Sequence, residues 1–274
     1  MLNAISYRHA MTCLVLVVGL LFSYGQSKRS GTCFTVEKAY PDSKLDGYNM
    51  YLPPSYEENS SNFPVIVFLQ GGLGVGGEVS AIFNWALPRI LKETPRIETE
   101  LDELRMNTFI YVMPHIQQGQ FYQNTEAIAQ MLDELIQTYR IDPQRIYLTG
   151  LSRGGHGSWG VASQMPERFA AIAPICGALH GVESYEGLAE LPIWAAHNEA
   201  DNIVDYRHTV RAVSEIERIA ETSFHRASHS QKVAWENHSR IFVSSSNSVK
   251  PHDAWTEVYD EIHFYHWLLR FKKE

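Results

Sequence analysis

The chain is short of cysteine, of positive charge and of long apolar runs. Three cysteines in 274 residues are too few for a disulfide-built scaffold and lack the paired spacing of a zinc site. Lys and Arg number 23 against 31 for Asp and Glu, a formal net charge of −8. No basic stripe exists to neutralise phosphates, which argues against a nucleic-acid partner. The apolar stretch Cys13–Tyr24 falls short of the roughly 20 residues that cross a bilayer. HExxH is missing, no Lys-Ser/Thr ends the glycine loop 71–77, and His225/His229 have no carboxylate partner nearby in sequence, so no metal or cofactor is expected.

What is present begins with a targeting pattern. Arg8 precedes the apolar Cys13–Tyr24 run, and Ser23 and Gly25 put small residues before a cut after Gly25, as in a secretory signal peptide. The expectation is a signal over 1–25, export to a secreted or periplasmic location, and no stable membrane anchor after cleavage. Cleavage leaves Cys33 and Cys176, which either bond or remain as thiols, with Cys176 buried at a strand end. Asn59 and Asn237 open glycan acceptor tripeptides.

Apolar residues make up 45 % and charged residues 20 %, a globular composition. No repeat, low-complexity tract or linker interrupts residues 33 to 274, so 26–274 reads as a single domain. Short apolar runs predict strands at 47–52, 64–70, 108–113, 145–149, 169–176, 192–197 and 239–243. Between them, helical periodicity predicts helices over 125–140, 206–221 and 257–272; in the first, Ile128, Met131, Leu132, Leu135, Ile136 and Tyr139 share one face. Asp142-Pro143 marks a turn after that helix. Alternation of strand and helix predicts an α/β domain with a mostly parallel sheet covered on both faces. In such sheets ligands bind beyond the carboxyl ends of the strands. Residues 80 to 107, with the acidic run 98–103, resist assignment and leave open a lid over the site.

Gly150-Leu151-Ser152-Arg153-Gly154 follows a strand and opens a helix, which is G-x-S-x-G in the context that gives it meaning. The strained turn presents the Ser152 hydroxyl above the sheet, and the Arg153 N–H at the helix start can bind an oxyanion. The alternative is an ordinary glycine-rich helix cap. A serine nucleophile needs a base oriented by an acid. The loop after the strand at 192–197 offers Glu199, Asp201 or Asp205. His252 lies beyond the last strand and before the last helix, which suits a base. His197 reads as a packing residue, and His263 and His266 as a solvated helix face. The glycine loop 71–77 follows an early strand and suits the second oxyanion donor, Gly72 first and Leu73 next.

At these residues the chain resembles the secreted α/β-hydrolases grouped as esterases or predicted peptidases, relatives of feruloyl esterases and polyhydroxybutyrate depolymerases. The pieces that carry the resemblance are YNMYLPPSY, PVIVFLQGGLG, IDPQRIYLTGLSRGGHGSW, LPIWAAHNEADNIVD and HDAWTEVY, spread over about 45 to 270. It implies the α/β-hydrolase fold, Asp201 as acid and His252, followed by Trp255, as base. It also places aromatics near the cleft at Phe121 and Tyr122, with Trp159 and Trp255 flanking the nucleophile and base. Two departures stand out: Gln70 replaces the usual His before the oxyanion glycines, and Arg153 replaces an apolar residue after the nucleophile. Gln70 can still brace the loop; Arg153 either meets an acidic substrate group or packs on the surface. The expected function is serine-dependent cleavage of a small-molecule or carbohydrate-linked carboxylic ester. A serine peptidase of the same fold and a catalytically silent binding protein are the alternatives.

Overall fold

A computed structural model describes residues 28–228, 235–246 and 249–274. The expected signal segment and His229 lie outside the described residues. Nine strands among the described residues form one sheet: β1 (Thr32–Glu37), β2 (Leu45–Leu52), β3 (Phe63–Leu69), β4 (Ile110–Ile116), β5 (Ile141–Leu151), β6 (Ala171–Ile175), β7 (Ile193–Asn198), β8 (His225–Ser228) and β9 (Arg240–Ser245). Their spatial order is β8-β9-β7-β6-β5-β3-β4-β2-β1. β2 runs antiparallel to β1 and β4, and every other pairing in the sheet is parallel.

The central strands are continuous apolar runs because both faces are covered. Along β3, Val65, Val67 and Leu69 enter one core, while Ile66 and Phe68 enter the other, as the two-residue side-chain period requires. The first core is closed by α3 (Thr125–Thr138), α4 (Arg153–Gln164) and α5 (Arg207–Ala220). The second is closed by α1 (Ala86–Glu93), α2 (Glu100–Asn107), α6 (Trp255–Tyr259) and α7 (Ile262–Leu269).

Three expectations need correction. The predicted helix over 257–272 is two helices, because Asp260 and Glu261 leave the helical path and the Glu261 side chain caps α7 by accepting from the His263 N–H. Asp142-Pro143 does not end the preceding element but lies inside β5. There Phe63 pairs with Ile141 and Val65 with Ile146, leaving a bulge that holds the turn, and Asp142 accepts from the Gln144 N–H at 3.0 Å. Residues 80 to 107, which the sequence left unassigned, form a helical turn, α1, a short strand and α2 packed on the second core. His263 and His266 are not simply solvated, since both stack on the Trp235 ring.

The sheet also decides the cysteine question. Cys33 sits on β1 and Cys176 just past β6, with β2, β4, β3 and β5 between them. Strands lie about 4.8 Å apart, so the two sulfurs are far beyond disulfide reach. Both are free thiols, and burial pushes the Cys33 thiol up to about 11.

Candidate active site

The turn that carries Ser152 follows from glycine geometry. A Cβ on Gly154 would stand 1.8 Å from the Leu69 carbonyl oxygen, and one on Gly150 would meet the Gly154 oxygen at 2.5 Å. Only with both side chains missing can the end of β5 and the start of α4 press against β3. The same closeness puts Ser152 at φ 53°, ψ −115°, a strained conformation for a non-glycine residue. Its hydroxyl thus stands at the N-terminus of α4.

Ser152, Asp201 and His252 come from the loops after β5, β7 and β9. His252 Nε2 lies 2.9 Å from Ser152 Oγ, and its Nδ1 lies 2.8 Å from Asp201 Oδ2. A carboxylate only accepts, so Nδ1 carries the proton and Nε2 is free to accept from the serine. Asp201 Oδ1 accepts from the N–H groups of Ile203 and Val204, at 2.9 and 3.0 Å. Its side chain is fully buried, and converging donors are what a buried carboxylate needs. Glu199 instead bonds Ser244, and Asp205 pairs with Arg207, which leaves Asp201 as the acid that meets His252.

His197 is more than a packing residue. Its Nε2 donates toward Asp201 Oδ2 at 3.1 Å and the Val204 carbonyl at 3.0 Å, while Nδ1 accepts from the Thr209 hydroxyl at 2.7 Å. Burial is the leading cause that lowers its pKa, outweighing the pull of Asp201, so the ring is a neutral donor. The signal for this role was its spacing four residues before Asp201.

The glycine loop meets the Ser152 turn because β3 and β5 pair Leu69 with Gly150. The loop turns tightly over Gly72–Gly74, with Gly74 N–H bonding the Gly71 oxygen and Val75 N–H the Gly72 oxygen. The first N–H groups of such a turn, those of Gly72 and Leu73, are left unused by it. Arg153 is likewise the first residue of α4, whose first bond runs from His156 N–H to the Ser152 oxygen. The Gln70 amide nitrogen donates to the Gly74 oxygen, bracing the loop as expected of an amide in that place. The Arg153 guanidinium donates to the Gly119 oxygen at 3.0 Å and passes beside Gly72. It bridges two loops.

Beside Ser152 lies a mostly apolar cavity of about 150 Å³, walled by Phe68, Ile82, Trp85, Leu151 and Trp255. Trp255 meets the His252 ring edge to face at 5.5 Å. Phe121 and Trp159 are absent from this wall. Both are 0 % exposed in the first core, so neither can serve as a substrate platform. Tyr122 packs over Gly160 and Gly181, also away from the cavity. Ile82 and Trp85 come from the stretch the sequence left unassigned. Among the described residues, Cys176, Asp201 and His252 are the one group of three metal-ligating side chains that converges, and two of these form the line to Ser152.

Comparison with known proteins follows the same residues. The pattern of the family described as "Putative esterase" matches residues 46–266. The chain belongs to that esterase family. The bifunctional acetylxylan esterase/xylanase of Neocallimastix patriciarum is 30 % identical over 84 residues, covering 31 % of this chain and 12 % of that protein. Poly(3-hydroxyalkanoate) depolymerase C of Paucimonas lemoignei is 43 % identical over 51 residues, 19 % of this chain and 12 % of that one. The chain thus matches only a small part of either relative's length. A solved thermostable esterase superimposes with a TM-score of 0.65 at 20 % identity, covering 89 % of this chain and 64 % of that one. The feruloyl esterase module of Clostridium thermocellum gives 0.60 at 15 % identity, over 90 % and 94 %. The shared architecture is the α/β-hydrolase fold. No helix among the described residues is long and apolar enough to cross a membrane.

Proposed function

We propose that this protein is an exported serine hydrolase that cleaves carboxylic esters through an acyl-enzyme. The observation that carries the reading is the unbroken line from Ser152 Oγ through the His252 ring to Asp201, at 2.9 and 2.8 Å. His252 Nε2 takes the serine proton as Oγ attacks the ester carbonyl, and Asp201 stabilises the imidazolium that forms. The N–H groups of Arg153 and of Gly72 or Leu73 bind the oxyanion. His252 then returns the proton to the departing alcohol, and a water molecule repeats the sequence to release the acid.

The cavity beside Ser152 takes the acyl group. Its volume matches that of a void known to hold benzene, so the substrate carries a short chain or a single ring. The alcohol side, open to solvent, accommodates a small molecule or a carbohydrate, in keeping with the acetylxylan and feruloyl esters named for related proteins. Export rests on the 1–25 signal pattern.

The test is hydrolysis of p-nitrophenyl acetate together with labelling by a fluorophosphonate. Ser152→Ala is expected to lower kcat by roughly 10⁶ and to abolish labelling. Unchanged hydrolysis by that variant defeats the reading.

A further inference from the structure

The sheet ends β6 at Ile175, and the next residue, Cys176, takes φ 41°, a left-handed conformation that strains a residue with a Cβ. Its N–H is fastened to the Ala196 oxygen of β7 at 2.8 Å. Held this way, the sulfur shares the N–H of Ser152, at 3.3 Å, with the Ile175 oxygen at 3.0 Å, and stands near the N–H of Ala254, which bonds the His252 oxygen at 3.1 Å. Sγ, an Asp201 oxygen and a His252 ring nitrogen all lie within 4.8 Å of one another. One buried atom therefore touches the turn of the nucleophile and the loop of the base, and borders the acid. Burial raises the thiol pKa well above its ordinary value, so the sulfur brings no second negative charge to Asp201.

We propose that Cys176 is a positioning residue whose sulfur ties the nucleophile turn to the histidine loop and so sets the approach of His252 to Ser152. This rests on the serine hydrolase reading above. Sulfur suits the place because it accepts N–H groups at longer range than oxygen does, and so spans two loops that a hydroxyl, bonding near 2.9 Å, serves only one at a time. Alanine leaves the gap between the two loops unfilled and removes the sulfur from the Ser152 N–H. Serine puts a strong O–H donor beside Asp201, which competes with His252 for the carboxylate.

The experiment compares wild type, Cys176→Ala and Cys176→Ser on p-nitrophenyl acetate, with active sites counted by fluorophosphonate labelling. Small displacements between reacting groups cost up to about 100-fold in rate. Cys176→Ala is expected to lose about ten- to a hundred-fold in kcat per labelled site, with KM within about two-fold of wild type. Cys176→Ser is expected to move the acidic limb of the kcat/KM profile to lower pH, because an Asp201 shared with a hydroxyl holds the imidazolium less well. Wild-type turnover per labelled site in Cys176→Ala overturns the proposal, since a purely structural loss lowers only the number of sites. If Cys176→Ala does not fold, an unmoved acidic limb in Cys176→Ser overturns it. Failure of wild type itself to label strikes the hydrolase reading instead.

Discussion

His197 and His252 share one oxygen of Asp201: both rings donate to Oδ2, at 3.1 and 2.8 Å. The carboxylate is thereby pinned from the strand side as well as the solvent side. His197→Ala removes a donor from a fully buried charge, a loss worth about 1.5–3 kcal/mol. The expected outcome is a fall in kcat/KM of about ten- to a hundred-fold with a parallel loss of stability in urea. Kinetics and denaturation of the purified variant at pH 7 check both.

Acid should destabilise the fold through two imidazoles. Burial lowers the His197 pKa, and burial, helped by His180, His208, Arg153 and His252, lowers that of His156 from 6.5 to about 3. Both rings are neutral when folded and bind a proton on unfolding, so the unfolded chain holds more protons in the window below pH 6.5. Stability therefore rises with pH from about 4 to about 6.5 and flattens above 7. His156→Gln, which keeps an acceptor for the Ala178 N–H, is expected to make that rise shallower. Urea midpoints measured across the range would show the same slope in both proteins if the idea is wrong.

The Gln70 brace predicts a specific kinetic signature. Gln70→Leu frees the Gly74 carbonyl and loosens the Gly72–Leu73 donors without deleting them. Deleting an oxyanion donor costs about 2.7–4 kcal/mol, and a loosened one less, so kcat should fall roughly ten- to a hundred-fold. KM for p-nitrophenyl acetate should stay near the wild-type value. A rise in KM at constant kcat would place Gln70 in ground-state binding instead.

Trp85 is half exposed at 49 %, so its removal disturbs the core little. It forms part of the cavity wall, and an indole face lost to an aromatic acyl group is worth about 1–2 kcal/mol. Trp85→Ala is expected to lower kcat/KM for p-nitrophenyl benzoate about ten-fold and for the acetate far less. Equal effects on the two esters would remove Trp85 from the acyl site.

The nucleophile was legible because two signals coincide on it: an apolar run that can only be a covered strand, and glycines whose missing side chains the turn demands. His252 was legible by order along the chain, and Asp201 needed the family pattern to separate it from Glu199 and Asp205. Trp159 flanks Ser152 in sequence but not in space, because the face of α4 that carries it is buried: Ser158, Trp159, Gly160 and Val161 all lie inside, and nearness in sequence says nothing of direction. The cavity wall escaped notice because Ile82 and Trp85 sit in a short helical turn and its exit, too brief for periodicity to declare itself. Edge strands β1 and β8 are part-exposed and short, so neither shows the dense apolar run that marks the centre of the sheet. Cys176 was legible as a buried strand end, but its left-handed backbone was not, since no feature of its own local sequence calls for it.

The base arrives late in the chain, at residue 252, a hundred positions after the nucleophile. A polypeptide still emerging from the ribosome at the length of Ser152, or even of Asp201, owns a hydroxyl with nothing to take its proton. On the proposed mechanism, that hydroxyl gains its proton acceptor only once the last strand of the sheet and the loop after it have been made.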